Sequence, residues 1–168
     1  RAYNLFEFKP GAEVALPFLE FIYEKFDFID NIYLEYFNEG CCFLAIIVIS
    51  KSYLQEASSP ENPLDTDEQM LSYANSDLFR EWARRQLRKH ARYWDLEGIP
   101  YIGEMRFITK SFTDDCYFGL LTPTGKKRPH KFHEYFGQEF NEMMKQVMKR
   151  REEQKVPAGV VEYADETD

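Results

Sequence analysis

Three groups of residues in this chain have types and spacings that invite a chemical reading. The first is Gly119-Leu-Leu-Thr-Pro-Thr-Gly125-Lys126-Lys127. Glycines followed by lysine are how a chain cradles phosphate, with backbone amides and an ammonium around the anion. Here five residues separate the glycines instead of four, and Lys127 stands where a magnesium-binding hydroxyl belongs. Pro123 also removes an amide from the cradle. The stretch therefore reads as a turn, and no nucleotide or other cofactor is expected there.

The second group is His130-Lys-Phe-His133-Glu134, two imidazoles and a carboxylate on the first turn of a helix. A catalytic metal wants a third protein ligand and a recognised spacing. The pattern is neither HExxH nor HxxEH, and His90 is the only other histidine. Capping and solvation account for it, and no metal is expected; a small metal-dependent enzyme is the least favoured function. The third group, Asp95, Glu104 and Lys110, imitates a metal-dependent nuclease. Such chemistry needs two carboxylates and a lysine converging on one ion, and the residue two after Glu104 is Arg106. No serine or cysteine has a plausible base and orienting acid, so no catalytic residue is assigned and the chain is read as a non-enzyme.

The most decodable element is a helix over 76–98. Ser76 is its N-cap, Asp77 suits the positive end of the dipole, and Gly98 before Ile99-Pro100 stops it. Phe79, Ala83, Leu87, Ala91 and Trp94 form one apolar stripe, with His90 on the apolar side. Arg80, Arg84, Arg88 and Arg92 share the next face, beside Arg85 and Lys89. Two readings follow. The cations pair with acids of this protein or a partner, or Arg84, Arg85, Arg88, Lys89 and Arg92 track phosphates together with Lys126, Lys127 and Arg128 in the basic loop 126–131.

Before that helix, 1–11 reads as a short strand or arm. A long helix is expected over 16–37, with Phe18, Ile22, Phe26, Ile29, Tyr33 and Phe37 in its core stripe and Phe21, Phe28, Ile32 and Tyr36 on other faces. The run 41–50, CCFLAIIVIS, is a buried central strand. The segment 55–75, five acids without a base, reads as a solvated loop. After the helix, 101–110 and 116–121 are expected to pair as a hairpin through Phe112-Thr113-Asp114-Asp115. Pro129 opens a last helix to about residue 153, with Phe132, Phe136, Phe140, Met144 and Met148 stepping by four and Met143 and Val147 beside them.

These elements predict an α+β fold, about three helices packed on a small, mostly antiparallel sheet. A single domain spans 1–155, with a mobile acidic tail over 156–168. The 168 residues carry a net charge of −8 with 15 Phe and 11 Tyr. Residues 1–75 hold 4 basic and 13 acidic side chains, and 76–155 hold 17 and 12. A net-acidic chain is a poor free-standing nucleic-acid binder. Three cysteines, two of them adjacent, point to reduced thiols in an intracellular compartment. No run approaches membrane-spanning length. The start at Arg1 fits either a processed, mitochondrial chain or one simply trimmed, with a cytoplasmic location as the alternative.

Aromatic residues are enriched at interfaces. The preferred function is accordingly a non-catalytic scaffold subunit of a multiprotein complex, binding other protein subunits through Phe21, Phe28, Tyr36, Trp82, Tyr93 and Met143. The alternative is a nucleic-acid-binding module using the basic helix. No small-molecule substrate is identified from the residues.

Overall fold

A computed structural model of the chain describes residues 5–89 and 98–162. The β-strands are β1 (Leu5–Lys9), β2 (Ala12–Ala15), β3 (Ile29–Phe37), β4 (Cys42–Ile49) and β5 (Ile102–Ile108). The helices are α1 (Leu16–Tyr23), α2 (Lys51–Ala57), α3 (Asp67–Ala74), α4 (Asp77–Lys89) and α5 (Pro129–Glu153). The fold is α+β, as expected, but the sheet differs in detail. β4 lies at the centre, antiparallel to β3 and parallel to β5, while β1 and β2 form a separate hairpin.

Every residue of β4 is buried, which suits a continuous apolar run in a strand covered on both faces. The path from β4 to its parallel neighbour β5 passes through α2, α3 and α4. Helices therefore occupy part of the segment read as a solvated loop. Thr66 and Gln69 form a reciprocal cap at the start of α3, with Gln69 N donating to Thr66 Oγ1 at 3.1 Å and Thr66 N donating to Gln69 Oε1 at 3.0 Å. Asn75 then holds β5 from the side, accepting from Phe107 N at 2.8 Å and donating to Phe107 O at 2.9 Å.

The long helix expected over 16–37 is instead α1, a turn and β3. Its four-residue periodicity also suits alternation in a strand rich in Ile and Tyr, and pairing along β4 decides the outcome. The second strand expected over 116–121 is a 3₁₀ turn, Asp115–Tyr117, capped by Asp114, whose Oδ1 accepts from Cys116 N at 3.0 Å. β5 therefore has no antiparallel partner there.

Ser76 caps α4 as expected, its Oγ accepting from Phe79 N at 3.2 Å. The core stripe of α5 runs Phe132, Phe136, Phe140, Met143, Val147, and Met148 is exposed. A strict step of four drifts off a 3.6-residue helix, so the buried face moves to Met143 and Val147. At Phe136 the α5 backbone is non-helical (φ −124, ψ 24), a kink next to Gly137. Beyond α5, Arg151 Nη2 donates to Pro157 O and Val160 O, and Tyr101 N donates to Glu162 O. Residues 156–162 are thus tied to the domain.

Candidate functional site

The stretch 119–127 is a tight hairpin. Leu121 bridges Lys127, Thr122 N donates to Lys126 O at 2.8 Å, and Gly125 N donates to Thr122 O at 2.9 Å. Pro123 sits in the turn, where its fixed φ and missing amide cost nothing. Gly125 closes the turn at φ 87, a backbone that favours glycine. Lys126 N donates to Thr122 Oγ1 at 3.0 Å, so the lysine backbone is held from two sides. Arg128 fixes the base of the hairpin, donating to Gly119 O at 2.9 Å.

Two lysines leave this hairpin with different fates. Lys127 Nζ donates to Glu20 Oε1 at 3.1 Å, and Glu20 is only 4% exposed. Glu20 Oε2 accepts from Leu34 N at 2.7 Å. Burial pushes the Glu20 carboxyl above the ordinary carboxylate range, while Lys127 and the Leu34 amide pull the other way. This pair locks the hairpin to α1 and β3. Lys126 is exposed, and no acid among the described residues pairs with it.

Between the hairpin, the start of α1 and the outer residues of β3 lies a cleft of about 740 Å³. Leu16, Pro17, Tyr33 and Tyr36 give it mainly apolar walls; Glu35 and Lys126 are polar groups on its lining. Glu35 is fixed from two elements. Tyr33 Oη donates to its Oε1 at 2.8 Å, and His133 Nε2 lies 2.8 and 2.6 Å from its two oxygens. Tyr33 stacks on Phe132 at 3.9 Å between ring centroids, and His133 stacks on Phe140 at 4.4 Å. Phe140 lies beyond the α5 kink, so the bend brings both segments of the helix to bear on His133.

The other candidate residues are placed as follows. Phe21 is exposed on α1 with Lys25 over its ring, and Tyr36 is half-buried against Phe6 and Phe43. Phe28 and Met143 face this chain's own core, 1% and 0% exposed, and are not outward-facing as expected. Trp82 packs on Phe28, Tyr53 and Phe79. Tyr93, Arg92 and Asp95 lie outside the described residues.

The basic helix is largely engaged within the fold. Arg84 pairs with Glu81, and Arg85 lies 3.9 Å from Glu81. Arg88 lies over the Tyr101 ring, and Lys89 is exposed. Glu104 is buried among arginines and Lys110 pairs with Asp67, so these two do not converge on an ion. Among the described residues no cluster of His, Cys, Asp or Glu is arranged to hold a metal, and no helix is long and apolar enough to cross a membrane. Burial pushes the Cys42 thiol up to about 12, which leaves it a small apolar core residue.

No family model matches the chain. Long chain acyl-CoA synthetase 4 of Arabidopsis thaliana is 26% identical over 147 residues, 88% of this chain and 21% of that protein. The adenylation domain of a carboxylic acid reductase from Segniliparus rugosus, solved with AMP and a co-purified carboxylic acid, matches with a TM-score of 0.60. That match has 21% identity over 88% of this chain and 20% of the other. The adenylation domain of a Mycobacterium chelonae carboxylate reductase matches with a TM-score of 0.57, at 20% identity over 86% and 20% of the two chains.

The structural matches show a shared fold, and the chain spans about a fifth of the length of the proteins it matches. They overturn the expectation of a non-catalytic scaffold or structural subunit of a multiprotein complex, and with it the nucleic-acid alternative. The similar proteins are a synthetase and adenylation domains, which are enzymes. Part of the aromatic abundance is used within the fold, where rings such as Phe28, Phe79 and Phe107 pack on one another.

Proposed function

We propose that this chain forms part of an adenylating enzyme, one that joins a carboxylic acid to the AMP portion of ATP. The observation that carries the reading is Lys126. It is a cation without an acid partner among the described residues, held by a rigid hairpin on the lining of a cleft, in a fold shared with adenylation domains.

In adenylation a carboxylate oxygen attacks the α-phosphorus, the bond to the bridging oxygen breaks, and pyrophosphate leaves. Negative charge gathers on the phosphate and carboxylate oxygens as the two anions meet. A preorganised ammonium offsets that repulsion most strongly in the transition state. Lys127 cannot take this part while it neutralises Glu20; Lys126 can. The hairpin is a positioning device for one charge and not a phosphate cradle, which is why Pro123 is tolerated. Because the relative's name is that of an acyl-CoA synthetase, the same reading includes a second step, transfer of the acyl group to a thiol.

The test is carboxylate-dependent exchange of pyrophosphate into ATP, measured on the polypeptide that carries this sequence with a panel of carboxylic acids. Lys126→Met should lower kcat for exchange by ~100-fold with a smaller effect on KM. Lys126→Arg, which keeps the charge, should recover part of the loss. Exchange by Lys126→Met at the wild-type rate would remove the lysine from the chemistry. Absence of exchange with every acid in the wild-type protein would remove the reading itself.

A further inference from the structure

Glu20 on α1 is a buried carboxylate with both oxygens engaged. Oε1 accepts from Lys127 Nζ at 3.1 Å, and Oε2 accepts from Leu34 N at 2.7 Å. One side chain thus ties the Lys126 hairpin to β3, and Glu20, Lys126 and Lys127 all line the same cleft. A second acid one turn along α1 makes only half of this connection. Glu24 Oε2 accepts from Ile32 N at 3.2 Å, which fastens α1 to β3 without reaching the hairpin. The join between α1 and β3 therefore has a support that needs no lysine, and Glu20 extends that join to residue 127.

Stability alone is a weak reason for such a bond. A buried ion pair offsets its own desolvation only with good geometry, and an apolar pair of similar volume often stabilises a fold as well. What the charged pair adds is a fixed placement. Within the hairpin, Thr122 N donates to Lys126 O, Lys126 N donates to Thr122 Oγ1, and Arg128 closes the base on Gly119 O. These bonds set the shape of the hairpin. The Glu20 bond reaches across from it to the cleft wall, one residue from Lys126. A lysine ammonium rides on a flexible four-carbon stem, so the place from which the stem starts has to be set by the backbone.

We propose that Glu20 is a positioning residue for adenylation: through Lys127 it fixes where Lys126 stands against the cleft wall. This rests on the adenylating reading above. Glu20 acts on the chemistry only through Lys127 and the backbone that Lys127 shares with Lys126. An ammonium that stabilises charge on a transferring phosphate must stand where that charge develops, and a displacement of an ångström is enough to slow the step.

The experiment measures three quantities on the polypeptide that carries this sequence: carboxylate-dependent pyrophosphate exchange, urea unfolding, and competitive reductive methylation of lysines read by mass spectrometry. Glu20→Gln keeps an acceptor for Leu34 N but removes the charge that holds Lys127, and should lower kcat by ~10-fold with KM for ATP little changed. In a Lys126→Met background the same substitution should lower kcat no further, because the group it positions is gone. Glu20→Gln with Lys127→Met leaves no buried charge unpaired, so it should withstand more urea than Lys127→Met alone and still exchange as slowly as Glu20→Gln. A purely structural role would return the rate together with the stability. Glu24→Ala, which loosens α1 from β3 and leaves the hairpin bond intact, should exchange at the wild-type rate. Lys127 should methylate slowly in the wild type and as readily as Lys126 in Glu20→Gln. The proposal is overturned by an active wild type whose Glu20→Gln variant keeps its kcat, or by a further loss in the Lys126→Met background. It is overturned equally by a double variant that regains rate with stability, a Glu24→Ala protein as slow as Glu20→Gln, or a wild-type Lys127 as reactive as Lys126. A wild type that exchanges with no acid removes the adenylating reading and this role with it, and methylation then separates that failure from a broken Glu20–Lys127 pair.

Discussion

Lys127 and Glu20 are 107 residues apart in sequence and only 3.1 Å apart in space, and their pairing decides which lysine of the hairpin is free. Burial raises the Glu20 pKa, so the folded state retains a proton that the unfolded chain has released. The folded state binds more protons in that window, and stability falls as pH rises through it. Lys127 opposes this by favouring the ionised form. Lys127→Met should therefore lose ~3–5 kcal/mol at neutral pH, the cost of an unpaired buried charge. The deficit should shrink as pH falls below the ordinary carboxylate range, where Glu20 is neutral in both states. Urea unfolding at both ends of the window checks this, and a pH-independent deficit would contradict it. Sequence alone showed a lysine-bearing turn here, but not which lysine was committed. The same holds for His133 and Glu35, 98 residues apart. A pairing made by tertiary packing leaves no local spacing to read.

The elements differ in how far local sequence determines them. β4 was legible because a short apolar run with β-branched residues suits a strand buried on both faces. The start of α4 was legible because Ser76 and Asp77 carry their own signal. The boundary between α1 and β3 was not, since a spacing of four satisfies helix and strand alike until a partner strand decides. The Thr66–Gln69 cap of α3 was present in the sequence but masked by the acids and prolines around it. The packing of α5 on the sheet depends on a feature equally hidden in composition. A Cβ added at Gly103 would overlap Cys42 Sγ and lie 3.4 Å from Val147 Cγ2. β4, β5 and α5 meet there through a missing side chain. Gly103→Ala should cost ~1–3 kcal/mol, as overpacking does. Removing the sulfur with Cys42→Ala in the same chain should return part of it. Thermal unfolding of the single and double variants measures both, and a double variant no more stable than Gly103→Ala would place the strain elsewhere.

At the scale of the whole molecule, the side of the fold bearing α4, β5 and the far end of α5 is joined through one buried carboxylate. Glu104 is 4% exposed and receives Arg150 Nη2 at 2.8 Å. Arg106 Nη1 lies 3.5 Å away, Arg80 Nη1 3.7 Å and Arg84 Nη1 3.9 Å. Two of these guanidinium groups have a second acid, Asp77 for Arg80 and Glu81 for Arg84. Arg150 also donates to Gly103 O at 2.8 Å, joining the cluster to the glycine at which β4, β5 and α5 meet. The cluster anchors the later segment of α5, and the segment across the kink carries His133 to Glu35. Glu104→Gln keeps the shape of the side chain but leaves a group of like charges without their common counter-ion. It should destabilise the fold by ~3–5 kcal/mol, seen as a lower urea midpoint with an unchanged slope. Arg150→Gln added to it removes one of the stranded cations and should recover part of the loss, giving a coupling that single substitutions cannot show. A Glu104→Gln protein as stable as wild type would mean the arginines are solvated independently, and that apolar packing alone holds α5 in place.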